Sequence, residues 1–174
     1  MTRHYERDRF VAATPAEVFS FIDDHARFSS HMNESSWMMG GGSMSVELDE
    51  AKGQAVGSHI RLSGRVLGVR LYLDEVVTRR DPPTEKVWAT VGAPRLLVIG
   101  EYEMGVEITP EAGGSRVKVF IDYQLPTGWT TYWLGRLFGR FYAKWCVDQT
   151  IIGVTRAVPA IRARADSTPA APAA

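Results

Sequence analysis

Residues 116–125, RVKVFIDYQL, put Val117, Val119, Ile121, Tyr123 and Leu125 on one side of an extended chain and Arg116, Lys118, Asp122 and Gln124 on the other. Alternation with a period of two is the pattern of a strand with one dry and one wet face, which suits an antiparallel sheet. The pattern recurs upstream in SMSVELDE, SHIRLSGRVLG, VRLYLDEVVTRR, EKVWATVG and LVIGEYEMGVEITP, the last with Val98, Tyr102, Met104, Val106 and Ile108 on one side. Turn-forming stretches separate the runs: AKGQAVG, Asp81-Pro82-Pro83 and EAGGS. With the extended YERDRFVAA near the start, the chain supplies about seven strands.

A sheet with one dry face requires a cover. Residues 130–164 read as one long helix, with Leu134, Phe138, Phe141, Trp145, Gln149 and Ile152 as its apolar stripe and Arg136, Arg140, Lys144 and Asp148 along the opposite side. A shorter helix opens at ATPAEVFSFIDDHARF, where Thr14 is an N-cap, Pro15 suits the first helical position and Glu17 completes a capping box. RFSSHMNES reads as a second short helix or a turn. The expected architecture is α+β, a single domain over residues 1–164 followed by a disordered Ala/Pro tail, ADSTPAAPAA, over 165–174.

Lys plus Arg and Asp plus Glu both total 20, so no net basic charge points to a nucleic-acid partner. A single cysteine, Cys146, rules out an intramolecular disulfide and a cysteine-based zinc site. The charged start MTRHYERDRF and the lack of a run of ~20 apolar residues point to a cytoplasmic protein. Arg outnumbers Lys and Ala is frequent, as in proteins from GC-rich bacterial genomes.

Strand, two short helices, six strands and a long C-terminal helix is the order of the helix-grip fold. In TPAEVFSFIDDHARFSSHM, GSHIRLSG, VVTRRDPPTEKVWATVG and ITPEAGGSRVKVFIDYQLP the chain resembles the START-like superfamily of polyketide cyclase/dehydrase and lipid-transport proteins, also called Bet v 1-like. The resemblance implies a curved sheet wrapped around the last helix and an apolar cavity between them. It also implies that no cofactor is needed. Because one fold hosts carriers, cyclases and hydrolases, the function has to be argued from the residues themselves.

Four groups of residues are candidates. In SSWMMGGG, Trp37, Met38 and Met39 can gate the cavity while Gly40, Gly41 and Gly42 act as a hinge; the alternative is a static turn capping the core. Glu75 shares a side of its strand with Leu71, Leu73 and Val77, so if Val77 faces inward Glu75 does too, as a desolvated carboxyl fit for acid/base work. The alternatives are that a bulge shifts the register and puts Glu75 outside, or that it merely pairs with an arginine. Tyr102, Tyr123 and Gln149 offer polar groups to an apolar pocket, more so than Tyr72, and Leu73, Phe138, Phe141 and Trp145 would line it. Finally, GAPRLLVIG (92–100) is either a second lip, able to touch a membrane transiently together with Trp37, Met38 and Met39, or the start of a buried strand.

His4, His25, His31 and His59 lack metal-ligand spacing, and no metal site is expected. Cys146 reads as a packed hydrophobe rather than a nucleophile. The leading expectation is a module that binds or carries an apolar small molecule. The alternatives are a cofactor-free cyclase, dehydrase or hydrolase using Glu75, and an interaction domain engaging a protein through Arg61, Arg65 and Arg70.

Overall fold

The computed structural model describes residues 1–28, 44–66 and 69–166. Strand β1 (Arg3–Val11) leads into helix α1 (Pro15–Asp23) and the single turn α2 (His25–Phe28). Strands β2 (Met44–Leu48), β3 (His59–Val66), β4 (Val69–Asp81), β5 (Glu85–Arg95), β6 (Tyr102–Glu111) and β7 (Gly114–Tyr123) follow, and helix α3 (Trp129–Asp166) closes the chain. All seven strands form one antiparallel sheet in the order β1-β7-β6-β5-β4-β3-β2. The α+β helix-grip expectation holds.

Local chemistry explains the first helix. The Thr14 side chain accepts from the Glu17 backbone N–H at 3.3 Å, and Glu17 accepts from the Thr14 N–H at 2.8 Å, with Pro15 beginning the helix. Both bonds satisfy N–H groups that have no helical partner. Replacing Thr14 by Ala should cost about 1 kcal/mol, read from chemical denaturation.

The dry face of the sheet is continuous across strands. Tyr102, Met104, Val106 and Ile108 of β6 lie opposite Tyr123, Ile121, Val119 and Val117 of β7. With α1 and the buried side of α3 they form the main core, and Ile60, Leu62, Leu73 and Val77 form a second cluster on β3 and β4. The last helix packs on β1, β7 and α1, so it covers one half of the sheet more closely than the other.

Three expectations need correction. First, the stretch after Gly92 is not a loop leading into a strand at Leu97: β5 continues to Arg95, opposite Tyr72, and residues 96–101 connect it to β6. Pro94 is accommodated because the β4–β5 register shifts between Tyr72 and Asp74.

Second, the large apolar stripe of the last helix is not its buried face. Phe138 is 47% exposed and Phe141 59%, Leu134 and Ile152 are exposed too, and Trp145 and Gln149 are half-buried. The row Gly135, Gly139, Ala143 and Val147 is buried instead. A Cβ on Gly135 would stand 2.7 Å from Pro126 and 2.8 Å from the Val98 carbonyl oxygen, so only a row without side chains lets the helix come this close.

Third, strict alternation along β4 ends at Thr78. Pairing runs Val77 with Trp88 and then Arg79 with Val87, leaving Thr78 as an extra residue. The bulge turns Arg80, not Arg79, to the dry side, where it meets Asp23 at the end of α1.

Candidate ligand-binding site

Glu75 lies between the two register shifts of β4, in a segment that keeps its alternation, with Leu73 and Val77 buried on the same side. It faces Ile60 of β3 and Thr90 of β5 and is 4% exposed. The Tyr102 hydroxyl donates to its carboxylate, and the Trp88 ring N–H donates to it as well. Tyr102 is held in place where the β5–β6 ladder ends at Ala89 and Glu103: its backbone N–H donates to the Thr90 hydroxyl at 3.0 Å, and that hydroxyl donates back to the Tyr102 carbonyl at 3.3 Å.

Tyr102 touches both apolar clusters, as does Leu96. Glu75 and Tyr102 therefore sit at the seam between the half-sheet under α3 and the half formed by β2, β3 and β4. On the second half, Val46, Leu48, Leu71, Leu96 and Leu97 are only partly buried. From the helix, Tyr142 and Cys146 add a hydrogen-bonded pair, both kept protonated by burial and by the nearby Glu75 charge.

Burial dominates the electrostatics of this cluster. Loss of water, with the Asp74 charge adding to it, pushes the Glu75 carboxyl up to about 7 against the pull of its two hydrogen bonds. Burial and the Glu75 charge raise the Tyr102 hydroxyl well above its ordinary range, and burial pushes the Cys146 thiol up to about 12. A thiol so raised is a poor nucleophile at neutral pH. Glu75 is the group here that can change protonation near pH 7 at small cost.

Leu73, Glu75 and Tyr102 come together, and Tyr123, buried in the main core, lies directly opposite Tyr102 on β7. Gln149 and Trp145 are half-buried on the helix, Trp145 with its ring 5.8 Å from that of Tyr142. The gate residues Trp37, Met38 and Met39, with His31 and the tail beyond Asp166, lie outside the described residues. Among the described residues no three His, Cys, Asp or Glu side chains converge as a metal site would require, and no helix is long and apolar enough to cross a membrane.

Sequence reasoning missed Trp88, Tyr142 and a second polar cluster. Asp23 accepts from Arg80 Nε at 3.0 Å and Nη2 at 2.8 Å, and from Lys86 Nζ at 3.1 Å. Lys86 is 1% exposed and also reaches the Asp23 carbonyl at 3.3 Å. His25, buried edge-on against Trp88, is held down to about 3, chiefly by burial and then by the Lys86 charge, and stays neutral. The signal available was Lys86 itself, on the same side of its strand as Trp88.

Sheet order and the seat of the last helix place the protein in the helix-grip class. Within that class the chain belongs to the family described as polyketide cyclase/dehydrase and lipid transport, which it matches over residues 2–148. No curated protein matches it in sequence. Its fold is similar to that of a crystal structure of Ara h 8.0201 (TM-score 0.65, 14% identity, 92% of this chain and 99% of that one). It is likewise similar to a norcoclaurine synthase point mutant from Thalictrum flavum bound to a transition-state analogue (TM-score 0.65, 12% identity, 93% and 97%). The di-domain aromatase/cyclase StfQ of the steffimycin biosynthetic pathway aligns at TM-score 0.68 and 11% identity, with 95% of this chain matching 52% of that one. At such identities the likeness is one of fold.

Proposed function

We propose that the protein binds a small, mostly apolar molecule carrying a hydroxyl or carbonyl oxygen between the β2–β4 half of the sheet and α3, with Glu75 and Tyr102 as the polar contact. The observation that carries this reading is the carboxyl of Glu75 at the seam of two apolar clusters, one of them only partly covered. An apolar wall supplies affinity, and a few fixed polar groups orient the ligand. A protonated Glu75 donates to a carbonyl, and an ionised one accepts from a hydroxyl.

The test is native mass spectrometry of the purified protein, extraction of what it carries, and titration with a fluorescent apolar probe. Glu75→Leu should keep probe binding but weaken an oxygen-bearing ligand about tenfold, the size of one lost hydrogen bond to a charged group. An unloaded wild-type protein that ignores the probe would sink the proposal.

A second reading rests on the protonation of Glu75 near neutrality. A carboxyl that titrates near pH 7 beside a tyrosine hydroxyl suits a cofactor-free acid–base step on a polyketide-like or aromatic substrate. Glu75→Gln keeps the shape and removes the proton transfer. If the extracted molecule is converted by the wild type and not by this variant, the protein is an enzyme; if both leave it unchanged, it is a carrier.

A further inference from the structure

The exposed side of α3 is unlike the rest of the surface. Two neighbouring rows run along it at steps of four residues: Trp133, Leu137 and Phe141 in one, Arg136, Arg140 and Lys144 in the other. Trp129 is 83% exposed and Leu137 72%, and Leu134 and Phe138 widen the apolar row on its far side. A monomer rarely leaves so contiguous an apolar surface in water without a use for it. The Arg136 guanidinium lies 5.9 Å from the centre of the Trp133 ring, so cation and aromatic form one surface.

The charge pattern decides among occupants. Residues 129–147 hold three cations and no acid, and the first acid, Asp148, is taken by Lys144 at 2.6 Å and Arg7 at 2.5 Å. Arg136 and Arg140 have no acidic partner among the described residues. The same holds for Arg65 and Arg70, which face each other across β3 and β4, and for Arg95 at the end of β5, all at the end of the sheet where α3 begins. Arg61, by contrast, is engaged by Asp74 at 3.4 Å.

A second copy docked through a two-fold axis would set this cation row against itself with no acid to offset it. An anionic bilayer has the opposite charge. Trp and Tyr rings favour its headgroup level, and arginines beside them can reach the phosphates while their stems stay among apolar groups.

We propose that this face of α3, from Trp129 to Lys144, docks on an anionic lipid surface. Its Leu134–Phe138 row runs on to Tyr142 and Cys146 beside the Glu75 seam, but the docking through Trp133, Leu137, Arg136 and Arg140 stands whether or not that site binds a ligand. It also puts on the helix a membrane contact that the sequence offered only as one of two readings of residues 92–100, which pack beside it.

The test is flotation of the full chain with phosphatidylcholine vesicles, with and without about one third phosphatidylserine. Binding should require the anionic lipid and weaken as salt is raised. Arg136→Gln with Arg140→Gln should reduce it on the order of 25-fold, about fivefold per cation. Trp133→Ala with Leu137→Ala should reduce it at least tenfold with an unchanged thermal melt, because both side chains are exposed. Equal binding to neutral and anionic vesicles would overturn the charge argument. Absence of vesicle binding overturns the proposal outright, and a dimer in sedimentation equilibrium that the Trp133/Leu137 variant dissociates would assign the face to a second copy.

Discussion

Asp23→Ala should lower the unfolding free energy by about 3–5 kcal/mol, the cost of leaving a buried ion without its counter-ion. Lys86 lies inside the sheet, 1% exposed, and Asp23 is the carboxylate its ammonium meets, at 3.1 Å. Arg80 binds the same carboxylate through two nitrogens. Lys86→Met is the informative partner: it removes the buried cation together with its desolvation and leaves the Arg80–Asp23 pair intact. Its loss should stay below about 1.5 kcal/mol. Urea melts of the two variants at pH 7 check the contrast, and equal losses would mean that Lys86 is not held as an ion.

The pH dependence follows from the same group. Burial pushes the Asp23 carboxyl up, but the Arg80 hydrogen bond and the Lys86 charge outweigh it and hold the carboxyl below its ordinary value. An acid depressed in the folded state stabilises it above its unfolded pKa. That stabilisation is lost as the pH falls through the depressed value.

Glu75 has the opposite sign. Its carboxyl is raised from 4.5 to about 7, so the folded protein holds a proton that the unfolded chain has already released. Stability from this group is complete below pH 4.5 and declines as the pH rises to about 7, by about 1.4 kcal/mol per pH unit and about 3 kcal/mol in total. Glu75→Gln should flatten this part of the profile. Denaturation midpoints of the wild type and Glu75→Gln, measured from pH 4.5 to 8, give the comparison. Parallel profiles would show that Glu75 does not titrate in this range.

Much of the fold was legible because its signals are local. The Thr14–Glu17 capping box, the alternation of Val117, Val119, Ile121 and Tyr123, and the turn at Asp81-Pro82-Pro83 each depend on a few consecutive residues. The side of β4 that carries Leu73, Glu75 and Val77 could be read by counting from Val77, because neither register shift falls between Asp74 and Val77. Arg80 could not: one unpaired residue at Thr78 reverses the side of everything after it, and no property of threonine announces a bulge.

The helix was misread for a related reason. Counting favours the face with the largest apolar side chains, whereas packing at short distance favours the face with the smallest. Gly135 and Gly139 won because Pro126 and the Val98 carbonyl stand where a side chain would go. Trp88 and Tyr142 escaped notice as partners of the site because they come from different elements, and only the assembled sheet and helix bring them to Glu75 and Tyr102.

The sheet order sets the timing of folding during synthesis. The first strand, Arg3–Val11, takes its pairing from Ser115–Tyr123, the last strand made. At about 5–20 residues per second a ribosome needs roughly 6–22 s to translate from one to the other. Throughout that time the first strand has no native neighbour. Its run RHYERDRFV, with five charged residues among nine, keeps such a waiting segment soluble and disfavours edge-to-edge pairing with another nascent chain.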